Sequence, residues 1–96
     1  MPDKDGYPTK KELNIIHKWE YANGFDELLA FIGGCWWAPD WGFKKARKYY
    51  YLSTGGWSGN EEIIGAMQRN YAFWGMSFVQ HRRGGHYIFE IMKGKK

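Results

Sequence analysis

The sequence predicts a single α+β domain spanning residues 1–96, with helices packed on one face of a three-stranded antiparallel sheet. The predicted order is helix, helix, strand, helix, strand, strand (ααβαββ). Three observations support it. A helix-start motif at 9–12 precedes apolar residues at helical spacing, an aromatic run at 47–53 is typical of a strand, and alternating segments flank Gly84-Gly85. Residues 1–8 and 93–96 are expected to be flexible ends.

Two helices are predicted in the first third of the chain. Thr9-Lys10-Lys11-Glu12 forms a capping box, and the helix it starts should continue to about residue 22, where Asn23-Gly24 ends it. A second, shorter helix is predicted over 25–32. Gly33-Gly34 should end that helix.

The middle of the chain predicts a loop, a strand and a third helix. Residues 33–46 lack periodicity and suggest an irregular loop held by its tryptophans. The strand follows at 47–53. The Gly-rich stretch after it contains a second capping box, Ser58-x-x-Glu61, so a helix is expected from about 60 to 71.

The last third predicts a β-hairpin, with strands at 73–82 and 86–92 joined by Gly84-Gly85, which pairs Arg83 with His86. Period-two alternation assigns its two faces. The predicted core face carries Met76, Phe78, Tyr87, Phe89 and Ile91. The predicted solvent face carries Val79, His81, Arg83, His86 and Glu90.

Composition excludes several classes of protein. Hydrophobic residues form 44% of the chain, enough for one core, and no apolar run approaches the ~18 residues that a membrane span needs. The first six residues contain no apolar stretch, so a secretory signal is not expected. The single cysteine, Cys35, excludes an internal disulfide and a multi-cysteine zinc site, and it favours a reducing cytoplasm.

The aromatic content is high, and the charge is unevenly distributed along the chain. Aromatic residues form 20% of the chain, and the net charge of +4 divides into −3 over residues 1–42 and +7 over residues 43–96. Large rings can build the core of a small domain, or some of them can be exposed for a partner. The basic half can face phosphate or an acidic protein surface, or it can simply be solvated.

One candidate site would bind an anion or a phosphate-containing ligand. A Gly-rich turn into a helix can direct backbone amides at an anion, and the hairpin adds basic side chains. The candidate residues are Gly55, Gly56, Ser58, Gly59, Asn60, His81, Arg83 and His86. The spacing matches neither a Walker loop nor a dinucleotide fingerprint, and the glycines can serve only the turn. No metal site or cofactor is predicted.

A second candidate site would bind a macromolecular partner. Tryptophans are frequent anchors at interfaces, and bases interleaved with rings are typical of surfaces that bind single-stranded nucleic acid. The candidates are Trp36, Trp37, Trp41, Lys44, Lys45, Arg47 and Arg82. The alternative is that these rings belong to the core and the bases to a solvated surface.

No catalytic residues are predicted. Ser58 lacks a nucleophile elbow, and Glu61-Glu62 point in different directions on a helix, so they form no acid/base pair. Cys35 has no activating partner in sequence and is interpreted as an inert buried thiol. We therefore expect a protein that is not an enzyme.

The second half of the chain resembles a group of small, mostly uncharacterised proteins encoded in bacteriophage and prophage genomes. The resemblance covers about residues 50–91. The residues that carry it are Thr54-Gly55-Gly56-Trp57-Ser58-Gly59-Asn60-Glu61-x-Ile63-Ile64, Phe73-Trp74 and Arg83-Gly84-Gly85-His86-Tyr87-x-Phe89-Glu90. It implies a phage accessory protein acting in the bacterial cytoplasm. The group has no assigned catalytic residues to transfer.

Small phage accessory proteins often block host defence, including CRISPR effectors, or bind signal nucleotides. We therefore predict a non-catalytic binding protein that inhibits a bacterial host protein or nucleoprotein complex such as a CRISPR effector. One alternative is a binder or sponge for a signal nucleotide, for which a homodimer is expected because one small domain encloses little ligand. The other alternative is direct binding of DNA or RNA. No membrane partner is expected.

Overall fold

The protein folds as an α+β domain in which helices cover one face of a four-stranded antiparallel sheet, as a computed structural model describes for residues 7–37 and 39–91. The strand order is β1-β2-β4-β3. The elements are α1 (Lys10–Lys18), a 3-10 turn (Tyr21–Asn23), α2 (Phe25–Cys35), α3 (Pro39–Gly42), β1 (Phe43–Ala46), β2 (Tyr49–Ser53), α4 (Ser58–Arg69), α5 (Tyr71–Ser77), β3 (Phe78–Arg82) and β4 (His86–Glu90). The predicted α+β class is confirmed, whereas the three-stranded sheet and the ααβαββ order are wrong in detail.

The capping box at the start of α1 forms as predicted. The Thr9 amide donates to Glu12 Oε1 at 2.8 Å, and the Glu12 amide donates to Thr9 Oγ1 at 3.1 Å. The helix ends at Lys18, earlier than predicted, because Trp19 adopts extended backbone and a 3-10 turn follows. The Asn70 side-chain amide donates to the carbonyls of Ile16 and Trp19, both at 2.9 Å, which satisfies this helix end.

Helix α2 continues through Gly33-Gly34 instead of ending there. Its last turn includes Cys35, which is buried, so burial of the helix face outweighs the poor helix propensity of two glycines. A Cβ at Gly33 would lie 3.3 Å from the Phe43 ring. This glycine therefore allows close contact between α2 and β1.

The predicted loop at 33–46 contains the end of α2, the short helix α3 and strand β1. β1 pairs with β2 from Phe43↔Leu52 to Ala46↔Tyr49. The predicted strand at 47–53 begins only at Tyr49, because Arg47 has a φ of 60° and forms the turn between the two strands. β1 was missed because it has four residues, only one of them partly buried, and so shows no alternation.

Helix α4 begins at Ser58, and the predicted second capping box is not formed. The residue that caps the helix is Trp57, which makes no side-chain cap hydrogen bond. The Ser58 hydroxyl instead lies 3.1 Å from the Tyr7 hydroxyl. In the turn before the helix, the Trp57 amide donates to the Thr54 carbonyl at 3.0 Å. The two central residues, Gly55 and Gly56, both have positive φ, as a type I′ turn requires.

Helix α5 replaces the first part of the predicted strand 73–82. Asn70 caps this helix, since its Oδ1 accepts from the Phe73 amide at 3.1 Å. Phe73 is fully buried between Phe25 and Phe89, with ring centroids 5.3 and 5.4 Å away. The core therefore determines a helix where local aromatic content favours a strand.

The hairpin forms, but with a different register from the predicted one. Arg82 pairs with His86 across a three-residue turn, and an irregularity lies between Phe78 and Gln80. The pairing of Arg83 with His86 is therefore wrong. His81 lies on the core face, where its ring stacks on Tyr87 at 4.1 Å.

The core lies between the helices and one face of the sheet. Phe89 and Ile91 are buried as predicted, whereas Met76 belongs to α5 and is exposed. Within the described part of the chain, no helix is both long and apolar enough to cross a membrane. The predicted flexible ends fall mainly outside the described residues, except that Tyr7 and Pro8 pack on the domain, with Tyr7 4.9 Å from the Trp57 ring.

Candidate functional site

The sheet has a second face that none of the helices in the described residues covers, which we call the outer face. Strand pairing places one row of side chains across all four strands, Lys44, Tyr51, Ile88 and Gln80. A second row contains Ser53, His86 and Arg82. Tyr51, on β2, is 42% exposed, whereas Tyr50 beside it is 6% exposed because it points into the core.

An open pocket of about 300 Å³ lies on the outer face, which is at the low end of the range for ligand sites. Tyr51, Ser53, Arg82, His86 and Ile88 contribute to its walls. The Ser53 hydroxyl and His86 Nδ1 are 2.7 Å apart, and Arg82 Nε donates to Gln80 Oε1 at 2.6 Å. The pocket thus combines an aromatic ring, an aliphatic side chain and polar groups already held in place.

The charge of the outer face is positive. Glu90 is the acidic side chain on this face among the described residues, and its Oε2 lies 2.8 Å from Lys48 Nζ. The Glu90 carboxylate raises the pKa of Lys48, through a hydrogen bond and through its charge. Lys44 and Arg82, on the two edge strands, face no acid in these rows.

The structure brings part of the predicted anion site together. The Thr54 amide donates to the Gly85 carbonyl at 3.0 Å, so the Gly-rich turn after β2 lies beside the hairpin turn. A Cβ at Gly85 would clash with Thr54 Oγ1, so this contact requires glycine. Gly55, Gly56 and Arg83 are exposed nearby, while His81 turns away to the core face.

Two of the three predicted anion-site residues at the start of α4 are buried and take part in contacts within the fold. Gly59 and Asn60 are buried, and a Cβ at Gly59 would meet the Trp57 ring and Pro8. Asn60 uses its side chain on the backbone of Trp37: its Oδ1 accepts from the Trp37 amide at 2.8 Å, and its Nδ2 donates to the Trp37 carbonyl at 3.1 Å. Ser58, Gly59 and Asn60 therefore fix the fold around the helix start.

The three candidate tryptophans have different surroundings. Trp36 is 3% exposed and packs in the core against Phe43, so it cannot contact a partner from the folded surface. Trp37 is 46% exposed and stacks on Trp57, with ring centroids 4.8 Å apart. Trp41 is 61% exposed and lies against Gly55, where a Cβ would be 2.9 Å from the Trp41 ring. We call Trp37, Trp41 and Trp57 the tryptophan cluster.

The candidate basic side chains lie on different surfaces of the domain. Lys44 and Arg82 lie on the outer face, and Arg47 lies in the turn between β1 and β2. Lys45 points to the opposite side of β1, with its Nζ 5.7 Å from the centre of the Tyr50 ring. Sequence reasoning did not select Tyr51, Ile88 or Trp57. Alternation of Tyr50, Tyr51 and Leu52 along β2 was the signal available for Tyr51.

Cys35 is poorly suited to act as a nucleophile. Burial raises the pKa of the Cys35 thiol to about 11, with a further contribution from the negative charge of Glu12, so this thiol stays protonated at neutral pH. Over residues 7–37 and 39–91, no three His, Cys, Asp or Glu side chains form a group that could hold a metal ion.

Comparisons with known proteins found no matching family model, no matching curated protein and no matching solved structure. The resemblance of residues 50–91 to phage proteins therefore stays a prediction.

Proposed function

We propose that this protein is a non-catalytic phage accessory protein that binds a bacterial nucleoprotein complex, such as a CRISPR effector, and inhibits it by occupying a surface. The observation that carries the proposal is the tryptophan cluster, in which two large rings are exposed and yet held in place. The phage origin and the host target follow from the resemblance of residues 50–91.

The exposed rings are fixed before any partner arrives. The backbone of Trp37 is held on both sides by the buried Asn60 side chain, and its ring is stacked on Trp57. Trp41 lies against Gly55, whose missing side chain makes room for the ring. Ordering flexible side chains opposes association, so rings that are already ordered bind at lower entropic cost. Tryptophan is also one of the residues that are enriched among binding hot spots.

Basic residues continue directly from this cluster. Helix α3 carries Trp41 and leads without a break into β1, where Lys44 and Lys45 are exposed, and then into the turn at Arg47. A positive surface beside aromatic anchors suits a partner that is acidic or carries phosphate. A nucleoprotein complex presents protein surface and phosphate side by side, which favours it over an isolated neutral protein.

A plaque assay tests the inhibition. Bacteria with an active CRISPR system are infected with a phage that this system targets, with and without the protein expressed. We expect expression to raise the plaquing efficiency and the Trp37→Ala/Trp41→Ala double variant to lose this effect. Tyr71→Ala is the matched control, because Tyr71 is 82% exposed on α5, away from the cluster.

A capture experiment complements the assay. The tagged protein and both variants are used on the same lysate, and native mass spectrometry identifies what is held. A complex retained by the wild type and Tyr71→Ala, but not by the double variant, supports the proposal. Equal retention by all three at unchanged thermal stability would remove the tryptophan cluster from the interface.

A further inference from the structure

We infer that the outer face of the sheet is a binding site for single-stranded nucleic acid, with a base stacked on Tyr51 and phosphates held by Lys44 and Arg82. This goes beyond the proposed function, because the site shares Lys44 with the basic surface described there but does not include the tryptophan cluster. It can therefore be tested on the purified protein alone.

The first argument is the shape of the face and the position of its ring. Tyr51 lies on β2, between the edge strand β1 and strand β4, with Lys44 as its partner on one side and Ile88 on the other. Its ring is 42% exposed on the outer face, so a planar nucleobase can stack on it. A duplex keeps its base faces covered, whereas a single strand presents them, so the face suits a single strand.

The second argument is charge. Lys44 and Arg82 lie on opposite edge strands, which three strand spacings hold about 14 Å apart, and Arg82 is two residues further along β3 than the position opposite Lys44. Tyr51 lies between the two edges. The acid on this face, Glu90, is neutralised by Lys48 at 2.8 Å. The backbone of a nucleic acid that crosses the sheet would thus meet a basic side chain at each edge and an aromatic ring in the middle.

The third argument is the pocket beside Tyr51. Ser53 and His86 line it and are already hydrogen-bonded to each other. His86 is an exposed residue, and its Nδ1 is the ring nitrogen that contacts Ser53. These groups can pair with the polar edge of a base. A peptide of Asp and Glu would satisfy the charge but has no planar ring, whereas every nucleotide carries both a phosphate and a planar base, so the combination favours nucleic acid.

The experiment measures fluorescence anisotropy with 12-nucleotide oligo-U, 12-nucleotide oligo-dT and a 12-base-pair duplex, over a range of about 50 to 200 mM salt. We expect both single strands to bind more tightly than the duplex, with affinity falling as salt rises. The oligo-U and oligo-dT arms separate RNA from DNA as the preferred strand.

Variants assign the residues. Tyr51→Ala should weaken binding about tenfold without changing the salt slope, and Tyr51→Phe should retain it. Lys44→Gln and Arg82→Gln should each reduce the slope of log K against log salt by about 0.7, the value for one phosphate contact on a single strand. Tyr71→Ala and Arg69→Gln are matched controls, since both residues are exposed on helices behind the sheet.

Several outcomes would overturn the inference: no binding to either single strand, equal binding to the duplex, or equal loss in Tyr51→Ala and Tyr71→Ala. Preferential binding of poly-glutamate would do the same and would identify an acidic peptide site. Failure of the nucleic-acid inference is distinguishable from failure of the proposed function. A complex that is captured through the tryptophan cluster by a protein with no oligonucleotide affinity would leave only the proposed function standing.

Discussion

Both faces of the sheet carry large apolar side chains on β2 and β4, but these side chains are buried on one face and accessible on the other. On β2, Tyr50 points into the core and Tyr51, its neighbour in sequence, points outward. On β4, Phe89 is fully buried while Ile88 lines the open pocket. The helices supply the difference, because they cover one face only. Aromatic residues therefore stabilise this domain on one side and remain available to a partner on the other.

The largest expected effect tests the core face. Phe89→Ala should lower the free energy of unfolding by about 3–5 kcal/mol, because Phe89 is fully buried in contact with Phe73 and Trp74. Tyr51→Ala on the outer face should change it by less than about 1 kcal/mol. Urea unfolding followed by circular dichroism measures both. Equal losses would mean that the outer face is also covered in solution.

The next effect concerns the buried amide that holds Trp37. Asn60→Ala should destabilise the domain by about 1–3 kcal/mol, because it removes two hydrogen bonds to the Trp37 backbone. The near-ultraviolet circular dichroism of the Trp37–Trp57 stack should weaken as well. An unchanged signal together with normal stability would show that Trp37 is held by stacking alone.

A smaller effect on stability is expected at acidic pH, from the buried carboxylate of Glu12. Burial pulls the pKa of Glu12 up, but hydrogen bonds to its carboxylate, among them that from the Thr9 amide, bring it below the ordinary value of 4.5. The stability this provides is complete above the ordinary pKa and is lost as pH falls through the lowered one. Glu12→Gln should flatten the loss of stability between about pH 5 and pH 2. A wild-type profile as flat as that of the variant would contradict this.

The smallest effect on stability should come from Glu90, the acid of the outer face. Glu90→Gln removes a surface ion pair between partly buried Glu90 and exposed Lys48, so no resolvable change in melting temperature is expected. The same substitution makes the outer face more positive, so oligonucleotide affinity should rise at low salt and the gain should disappear at high salt. Glu62→Gln, on the exposed surface of α4, is the matched control for net charge. An equal gain in both variants would point to overall charge rather than to this face.

Some local interactions were predictable from the sequence alone, although the expected capping box of Ser58 and Glu61 does not form. The capping box of Thr9 and Glu12 is formed by residues three apart, so the pattern contains both partners. The α+β class, the existence of most elements and the hairpin near Gly84-Gly85 follow from periodicity and turn chemistry of the same short range. The burial of Phe89 follows from alternation within one strand.

Tertiary contacts decided the rest. Residues 71–77 form a helix because Phe73 is buried between Phe25 and Phe89, and β1 exists because β2 offers it a partner. Trp36 and Trp37 are adjacent in sequence, yet one is core and the other surface, because Asn60 holds the backbone of Trp37 from a distance of 23 residues. Which rings are exposed depends on what covers them, and elements distant in sequence supply that cover. The candidate binding surfaces therefore become visible only in the folded chain.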